Sequence, residues 1–393
     1  MIVDLPSTTT IAVSKKLVRL RQDVGAMALS RVLTLVVVVD EKHAEEAIEV
    51  ANDASHQHPC RIIAVVTGNK RGVSRLDAQI RVGGDAGASE VVVLRLYGPL
   101  TAHGRSVVIP LLLPDSPVVA WWPQDSPRNA SEDPIGAMAQ RRITDAAQSK
   151  NPRAEMKQRA KTYAPGDSDL AWTRVTLWRG LLAAALDQPP FEPVVSATVT
   201  GASDSPSADL LAAWLANGLH CPVARTRSRA GSGVVSVRLE RRSGNIDLVR
   251  PEGDSATLLQ PGQPDRTIAL PHRSDAECLA DELRRLDPDE VYAEVMTKGM
   301  RLLSAGKGKT ASEAVADGEA PSPAEAKRTA ARIKRAARAQ TRAAMVEAAP
   351  EPPEVSDRAT VKEAAARKLA DAKGETGGAT VDEAGEAVSE GGS

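Results

Sequence analysis

Apolar residues come in blocks along this chain, and their spacing changes from block to block. RVLTLVVVVD at 31–40 is almost continuous and β-branched, which predicts a strand buried on both faces and ended by Asp40. EKHAEEAIEVANDASHQH follows, with Ala44, Ile48 and Ala51 at helical spacing, and RIIAVVT at 61–67 predicts a second buried strand. Strand, helix and strand in such a short stretch make a βαβ unit, and hence a parallel pair with a right-handed crossover. Upstream, an extended arm leads into an amphipathic helix from Ser14 to Met27. Downstream, 75–82 and 89–96 predict strands, 101–113 is compatible with helix, and PVVAWW at 117–122 predicts another strand. Residues 1–150 are therefore expected to form an α/β domain with a largely parallel sheet.

A second block follows. DSDLAWTRVTLWRGLLAAALD predicts one helix, N-capped by Asp167 or Ser168 and stopped by Pro189 and Pro190. Ala171, Val175, Trp178, Leu182 and Leu186 form its apolar stripe, with Leu177 and Leu181 alongside. PVVSATVTG predicts a strand and ADLLAAWLANGLH a helix ending at Gly218. PVARTR, GVVSVRLERR and NIDLVRP predict strands, with Ser243, Gly244 and Asn245 as a turn. RSDAECLADELRRL and DEVYAEVMTKGMRLL predict two closing helices. Residues 165–303 are thus expected to form a second α/β domain with a mixed sheet.

After Leu303 large apolar residues nearly vanish, and 304–393 is expected to be a low-complexity Ala/Glu/Lys/Arg tail, disordered or partly helical. Capping-box patterns at 322–325 and 360–363 mark two local helices. Arg328, Arg332, Arg335, Arg338 and Arg342 share one face of the first. A solvated tail is the expectation, with contact to nucleic acid or an acidic partner as the alternative.

Charge and cysteines narrow the class. A formal net charge of -1 argues against a nucleic-acid partner for the molecule as a whole. No apolar run is long enough to span a bilayer, and the amino terminus has no signal-peptide pattern, so a soluble cytoplasmic protein is expected. Cys60, Cys221 and Cys278 are odd in number and widely spaced, which fits reduced thiols. Cys60, at a strand start after Pro59, is expected to be partly exposed.

The usual catalytic patterns are missing. Gly308, Lys309 and Thr310 imitate the end of a phosphate-binding loop, but Leu303 occupies the required first glycine position. The glycine run at 83–87 lacks dinucleotide spacing and reads as a turn. No histidine pair has metal-ligand spacing; His56 and His58, which alternate before Pro59, read as polar residues closing a helix. No Ser lies in a G-x-S-x-G elbow. No catalytic residue, cofactor site or metal site is expected.

What stands out instead is the placement of the aromatics. Four of the five tryptophans fall in two patches: Trp121 and Trp122 in PLLLPDSPVVAWWP, and Trp172 and Trp178 in DLAWTRVTLWRGLL. Asp115 sits inside the first, while Arg174 and Arg179 flank the second. Tryptophan and arginine are the side chains that interfaces concentrate. Two readings follow: a junction between the domains held by the tryptophans, or an exposed partner-binding surface. A third use of the arginines, with Arg61, is to hold the phosphate of a sugar phosphate or nucleotide in a sensing protein.

Several segments together carry a family resemblance: MIVDLPSTTT, GAMALSRVLTLVVV, HPCRIIAVV, the two tryptophan motifs, and ECLADELRRLDPDEVYAEV. In this order, over roughly residues 1–303, they resemble OpcA, the glucose-6-phosphate dehydrogenase assembly proteins, in their actinobacterial form. The resemblance implies a non-catalytic accessory protein whose partner is glucose-6-phosphate dehydrogenase, serving NADPH production in the pentose phosphate pathway. The set Trp121, Trp122, Asp115, Trp172, Arg174, Trp178 and Arg179 is then expected to make or support the contact.

Overall fold

The computed structural model describes residues 1–23, 32–82, 90–229, 231–251 and 253–305. The glycine run at 83–87, the 308–310 segment, both tail helices and the end of the first expected helix lie outside the described residues.

The chain opens with β1 (Ile2–Leu5) and α1 (Thr10–Asp23), then builds the expected βαβ unit from β2 (Leu33–Asp40), α2 (Ala44–Ser55) and β3 (Cys60–Thr67). β2 and β3 pair in parallel, with Leu33 opposite Cys60 and Asp40 opposite Thr67. β4 (Arg75–Arg81) and β5 (Glu90–Tyr97) follow. At 101–113 the expected helix is reduced to α3 (Gly104–Val108) between two short 3-10 turns. Pro110 lacks the N–H that a continuous helix would need there. β6 (Val118–Trp122), β7 (Arg141–Thr144), α4 (Pro152–Thr162) and β8 (Asp167–Asp169) complete the first sheet.

Its order is β1-β4-β5-β3-β2-β6-β7-β8. From β5 to β8 every pair is parallel, while β4 and β1 run antiparallel along one edge. β7 and β8 were not expected: Arg-Arg-Ile-Thr and Asp-Ser-Asp are too short and too polar to read as buried strands. The sheet therefore runs to Asp169, past the boundary expected at 150. Successive side chains of a strand point to opposite faces, so Trp121 joins Leu35, Val37 and Ile62 on one face and Trp122 joins Val36, Ile63 and Val92 on the other.

α5 (Leu170–Thr173) and α6 (Thr176–Leu186) lead to β9 (Ser196–Ala202), α7 (Pro206–Leu219) and β10 (Val223–Ser228). β11 (Val234–Glu240), β12 (Ile246–Val249), β13 (Ser255–Leu259) and β14 (Arg266–Ala269) then form a meander. This sheet is ordered β10-β9-β11-β12-β13-β14. Only β9 and β10 are parallel, so the sheet is mixed. Val199, Val237, Leu248 and Leu258 face a core shared with α6 and α7. On the opposite face Arg238 pairs with Asp247 across neighbouring strands at 2.8 Å.

α8 (Asp275–Arg284) does not stay with the second sheet. Cys278, Leu279 and Leu283 pack with α2 against the first sheet, in the same cluster as Trp121. α9 (Glu290–Glu294), a π turn at Val295–Gly299 and α10 (Met300–Ala305) then return to α7. Gly299 makes that return possible, because a Cβ there would lie 2.5 Å from the Ala213 carbonyl oxygen. Both sheets belong to one compact unit. Among the described residues no helix is long and apolar enough to cross a membrane.

Candidate functional site

The charged and aromatic residues singled out in the sequence meet where the chain passes from the first sheet to the second. Asp145 follows β7, and Asp169 ends β8. Asp169, rather than Asp167 or Ser168, caps the next helix: its carboxylate accepts the Ala171 N–H at 2.9 Å, the Thr144 hydroxyl at 2.7 Å and the Ala146 N–H at 3.0 Å. The expected single helix is broken at Arg174 and Val175, between α5 and α6. The break lets Arg174 turn back to Asp145, donating Nη1 at 2.8 Å and Nη2 at 2.5 Å. The same Nη2 reaches Asp275, at the start of α8, at 2.6 Å. One guanidinium thus joins β7, the α5–α6 break and α8.

A second layer repeats the device. Arg141 of β7 donates Nε to Glu282 of α8 at 3.0 Å, and Thr173 donates its hydroxyl to the same carboxylate. Arg273 donates to the Thr173 carbonyl at 3.2 Å and pairs with Asp281 at 2.6 Å. Trp172 donates Nε1–H to Asp289 at 2.8 Å, while the other Asp289 oxygen caps α9 by accepting the Tyr292 N–H at 2.9 Å. The Trp172 ring lies 5.6 Å from the Tyr292 ring, and the Arg179 guanidinium sits 3.5 Å over Trp172. Arg250 sits 5.2 Å over Trp178.

Burial sets the electrostatics. It drives the Asp169 carboxyl up to about 7, with the neighbouring Asp145 adding to the rise. Burial also raises Asp145, against the opposing pull of Arg174. Burial alone would lower Arg174, but Asp145 and Asp275 outweigh it and keep the guanidinium charged. Arg179 is brought down to about 10 by burial, partly offset by Asp289 and Glu282.

The structure therefore places the predicted residues as follows. Trp121, Trp122, Trp172 and Trp178 are all buried, at 2% exposure or less. As side chains they are core, so the reading of an exposed indole surface fails. Arg174 is half-buried and committed to two carboxylates. Asp115 stands apart: it is exposed, in a turn before β6, with a φ of 53° in the left-handed region that Asp tolerates. That turn lies at the amino end of β6, whereas Asp145 lies past the carboxyl end of β7. Arg61 is not a phosphate ligand, being buried in an ion pair with Glu90 at 3.0 Å. Cys60 is fully buried rather than partly exposed, because β3 starts beneath α2. Burial pushes the Cys278 thiol up to about 12 and also raises Cys221. Among the described residues no group of His, Cys, Asp and Glu is placed to hold a metal ion.

A small pocket of about 240 Å³ opens beside this junction, lined by Arg174, Trp178, Arg250 and Arg273. Its arginines are already engaged by carboxylates, backbone carbonyls or a ring face. Asp145, Asp169, Asp275, Glu282 and Asp289 were missed as site residues. They stand singly in the sequence, and only the fold brings Asp145 and Asp275 to Arg174, Glu282 to Arg141, Asp289 to Trp172 and Asp169 to Thr144 and Ala146.

Comparison with known families bears on the same stretch. Residues 51–161 match the family model described as glucose-6-phosphate dehydrogenase subunit N-terminal domain, and residues 165–296 match its C-terminal domain. The chain belongs to the OpcA family of glucose-6-phosphate dehydrogenase assembly proteins. The two matched domains meet at 161–165, between α4 and β8, so the charged junction gathers residues from both: Asp145 from the first, Arg174 and Asp275 from the second. No curated protein matches the chain. Among solved structures it is similar to one titled as the crystal structure of an oxidoreductase from Sinorhizobium meliloti. That likeness has 10% identity and a TM-score of 0.37, covers 73% of this chain and 97% of that one, and is too distant to inform function.

Proposed function

We propose that this protein is a non-catalytic accessory subunit that binds glucose-6-phosphate dehydrogenase and promotes its assembly or activation. The observation that carries this reading is the ordered pair of family matches spanning 51–161 and 165–296. An assembly factor shifts an oligomeric equilibrium only by binding one state of the enzyme more tightly than another. Such selectivity needs a surface of fixed shape. The buried ion pairs and tryptophans of the junction supply it by fixing the two sheets relative to each other.

In this reading Trp172, Arg174, Trp178 and Arg179 support the contact rather than make it. The contact itself is assigned to the outer face of α6, where Thr176, Leu177, Gly180, Ala183 and Ala184 are exposed on the turns that bury Trp178 and Leu182. Small side chains around one exposed leucine allow close approach of a partner. Retention of the dehydrogenase on immobilised chain, compared with a Leu177→Asp variant, tests the assignment. Retention by the parent chain and its loss in the variant are expected; equal retention by both removes α6 from the interface.

A further inference from the structure

A cleft of about 920 Å³ opens at the carboxyl ends of β2, β3 and β6. Its position follows from the topology. From β2 the chain crosses through α2 to β3 on one side, while β6 lies on the other side of β2. Strand order reverses between β2 and β6, and open α/β sheets bind ligands in the crevice outside the carboxyl ends of strands at such a reversal. Segments after β2, β3, β6 and β7 all line it.

The lining is built for an anion with a polar body. Lys42, Lys70 and Lys150 come from three different loops, and none forms a salt bridge among the described residues. α2 begins at the same wall, with His43 at its N-cap and no side chain capping its first-turn amides. The Asp40 carboxylate instead holds His43, accepting its backbone N–H at 3.0 Å and lying 2.6 Å from Nδ1. The uncapped amides and the helix dipole favour negative charge there.

Two further groups lack partners at the end of β6. Trp121 lines the cleft and is 1% exposed, yet its indole N–H has no acceptor among the described residues. Gln124, which also lines the cleft, has a buried Oε1 without a donor among the described residues. Leaving a buried polar group unsatisfied is destabilising, and a ligand bringing both an acceptor and a donor would remove that penalty.

Carboxylates share the lining, and they decide the ligand class. Asp275 is paired with Arg174 and Asp40 with His43, but Glu46 and Asp125 also face the cleft. A bare inorganic anion gains from the lysines and is opposed by these acids. A phosphate ester whose body carries hydroxyl groups satisfies both, with phosphate at the lysines and hydroxyls donating to the carboxylates. The volume also suits a whole metabolite rather than a lone ion.

We propose that the cleft binds a small hydroxylated phosphate ester, a sugar phosphate or a nucleotide, through Lys42, Lys70, Lys150 and the amino end of α2, with Trp121 donating to the ester. No arginine of the junction lines this cleft.

The test is calorimetric titration of the full chain, without dehydrogenase, using ribose 5-phosphate, adenosine monophosphate and inorganic phosphate. At least one ester is expected to bind about tenfold or more tightly than inorganic phosphate. Which ester binds distinguishes the two sources. A Lys70→Ala/Lys150→Ala variant is expected to lose about tenfold or more of that affinity with an unchanged melting temperature. The ester should also change indole emission in the parent chain and not in Trp121→Phe. Heat from neither ester, equal affinity for inorganic phosphate, or binding undiminished in the lysine variant overturns the proposal. None of these outcomes touches the dehydrogenase partnership, since the enzyme is absent from the titration.

Discussion

The junction and the cleft share Asp275 and differ in what their charges do. At the junction three arginines are ion-paired: Arg174 holds Asp145 and Asp275, Arg141 holds Glu282, and Arg273 holds Asp281. At the cleft Lys42, Lys70 and Lys150 have none among the described residues, and the Trp121 N–H has no acceptor. Paired, buried charge fixes the position of one element against another. Unpaired charge around an opening leaves binding capacity for something outside the chain. Arg61 and Arg174, which the sequence offered as phosphate ligands, are instead engaged in ion pairs within the chain.

The comparison breaks first at Arg174. Arg174→Ala leaves Asp145 buried without its cation and is expected to cost about 3–5 kcal/mol, read as a lowered urea midpoint. Lys70→Ala should change stability by no more than about 0.5 kcal/mol. Equal effects from the two substitutions would erase the distinction between junction and cleft.

The tryptophans give a finer version. Trp172→Phe removes a donor and leaves Asp289 short of a partner, whereas Trp121→Phe removes a donor that has no acceptor. The first is expected to cost about 1–3 kcal/mol more than the second in the absence of any ester. A larger loss for Trp121→Phe would mean that its N–H is satisfied within the protein after all.

A pH series sharpens the junction itself. The Asp169 carboxyl is raised to about 7 in the folded chain, against about 3.9 when unfolded. Between those values the folded state holds a proton that the unfolded state has released. The contribution is therefore complete below about pH 4 and is lost as pH rises through about 7. Asp169→Asn keeps one oxygen for capping and should flatten this part of the urea-stability profile; an unchanged slope would assign the proton elsewhere. Leu177→Asp, like Lys70→Ala, is expected to change stability by at most about 0.5 kcal/mol, since that side chain is 40% exposed.

Much of this architecture was readable from residue spacing. The continuous β-branched runs of β2 and β3 could only be strands buried on both faces, and the helical spacing between them fixed their parallel pairing. β7 and β8 were hidden because Arg141, Arg142, Asp167 and Asp169 look like surface loop, and become strand residues only once their charges are paired. The return of α8 to the first sheet was hidden for a different reason: an amphipathic helix announces that it packs, not against what. The site divides in the same way. Tryptophan and arginine placement located the junction, but Asp145, Asp275 and Glu282 lie over a hundred residues apart in places and carry no local pattern. The cleft arises from strand order, which no stretch of sequence states.

The central claim concerns a partner, and sedimentation of glucose-6-phosphate dehydrogenase with and without this chain, with activity measured on the same samples, tests it most directly. A complex containing both proteins, a shift of the enzyme towards one oligomeric state, and higher activity in that state are expected. Independent sedimentation with unchanged activity would contradict it.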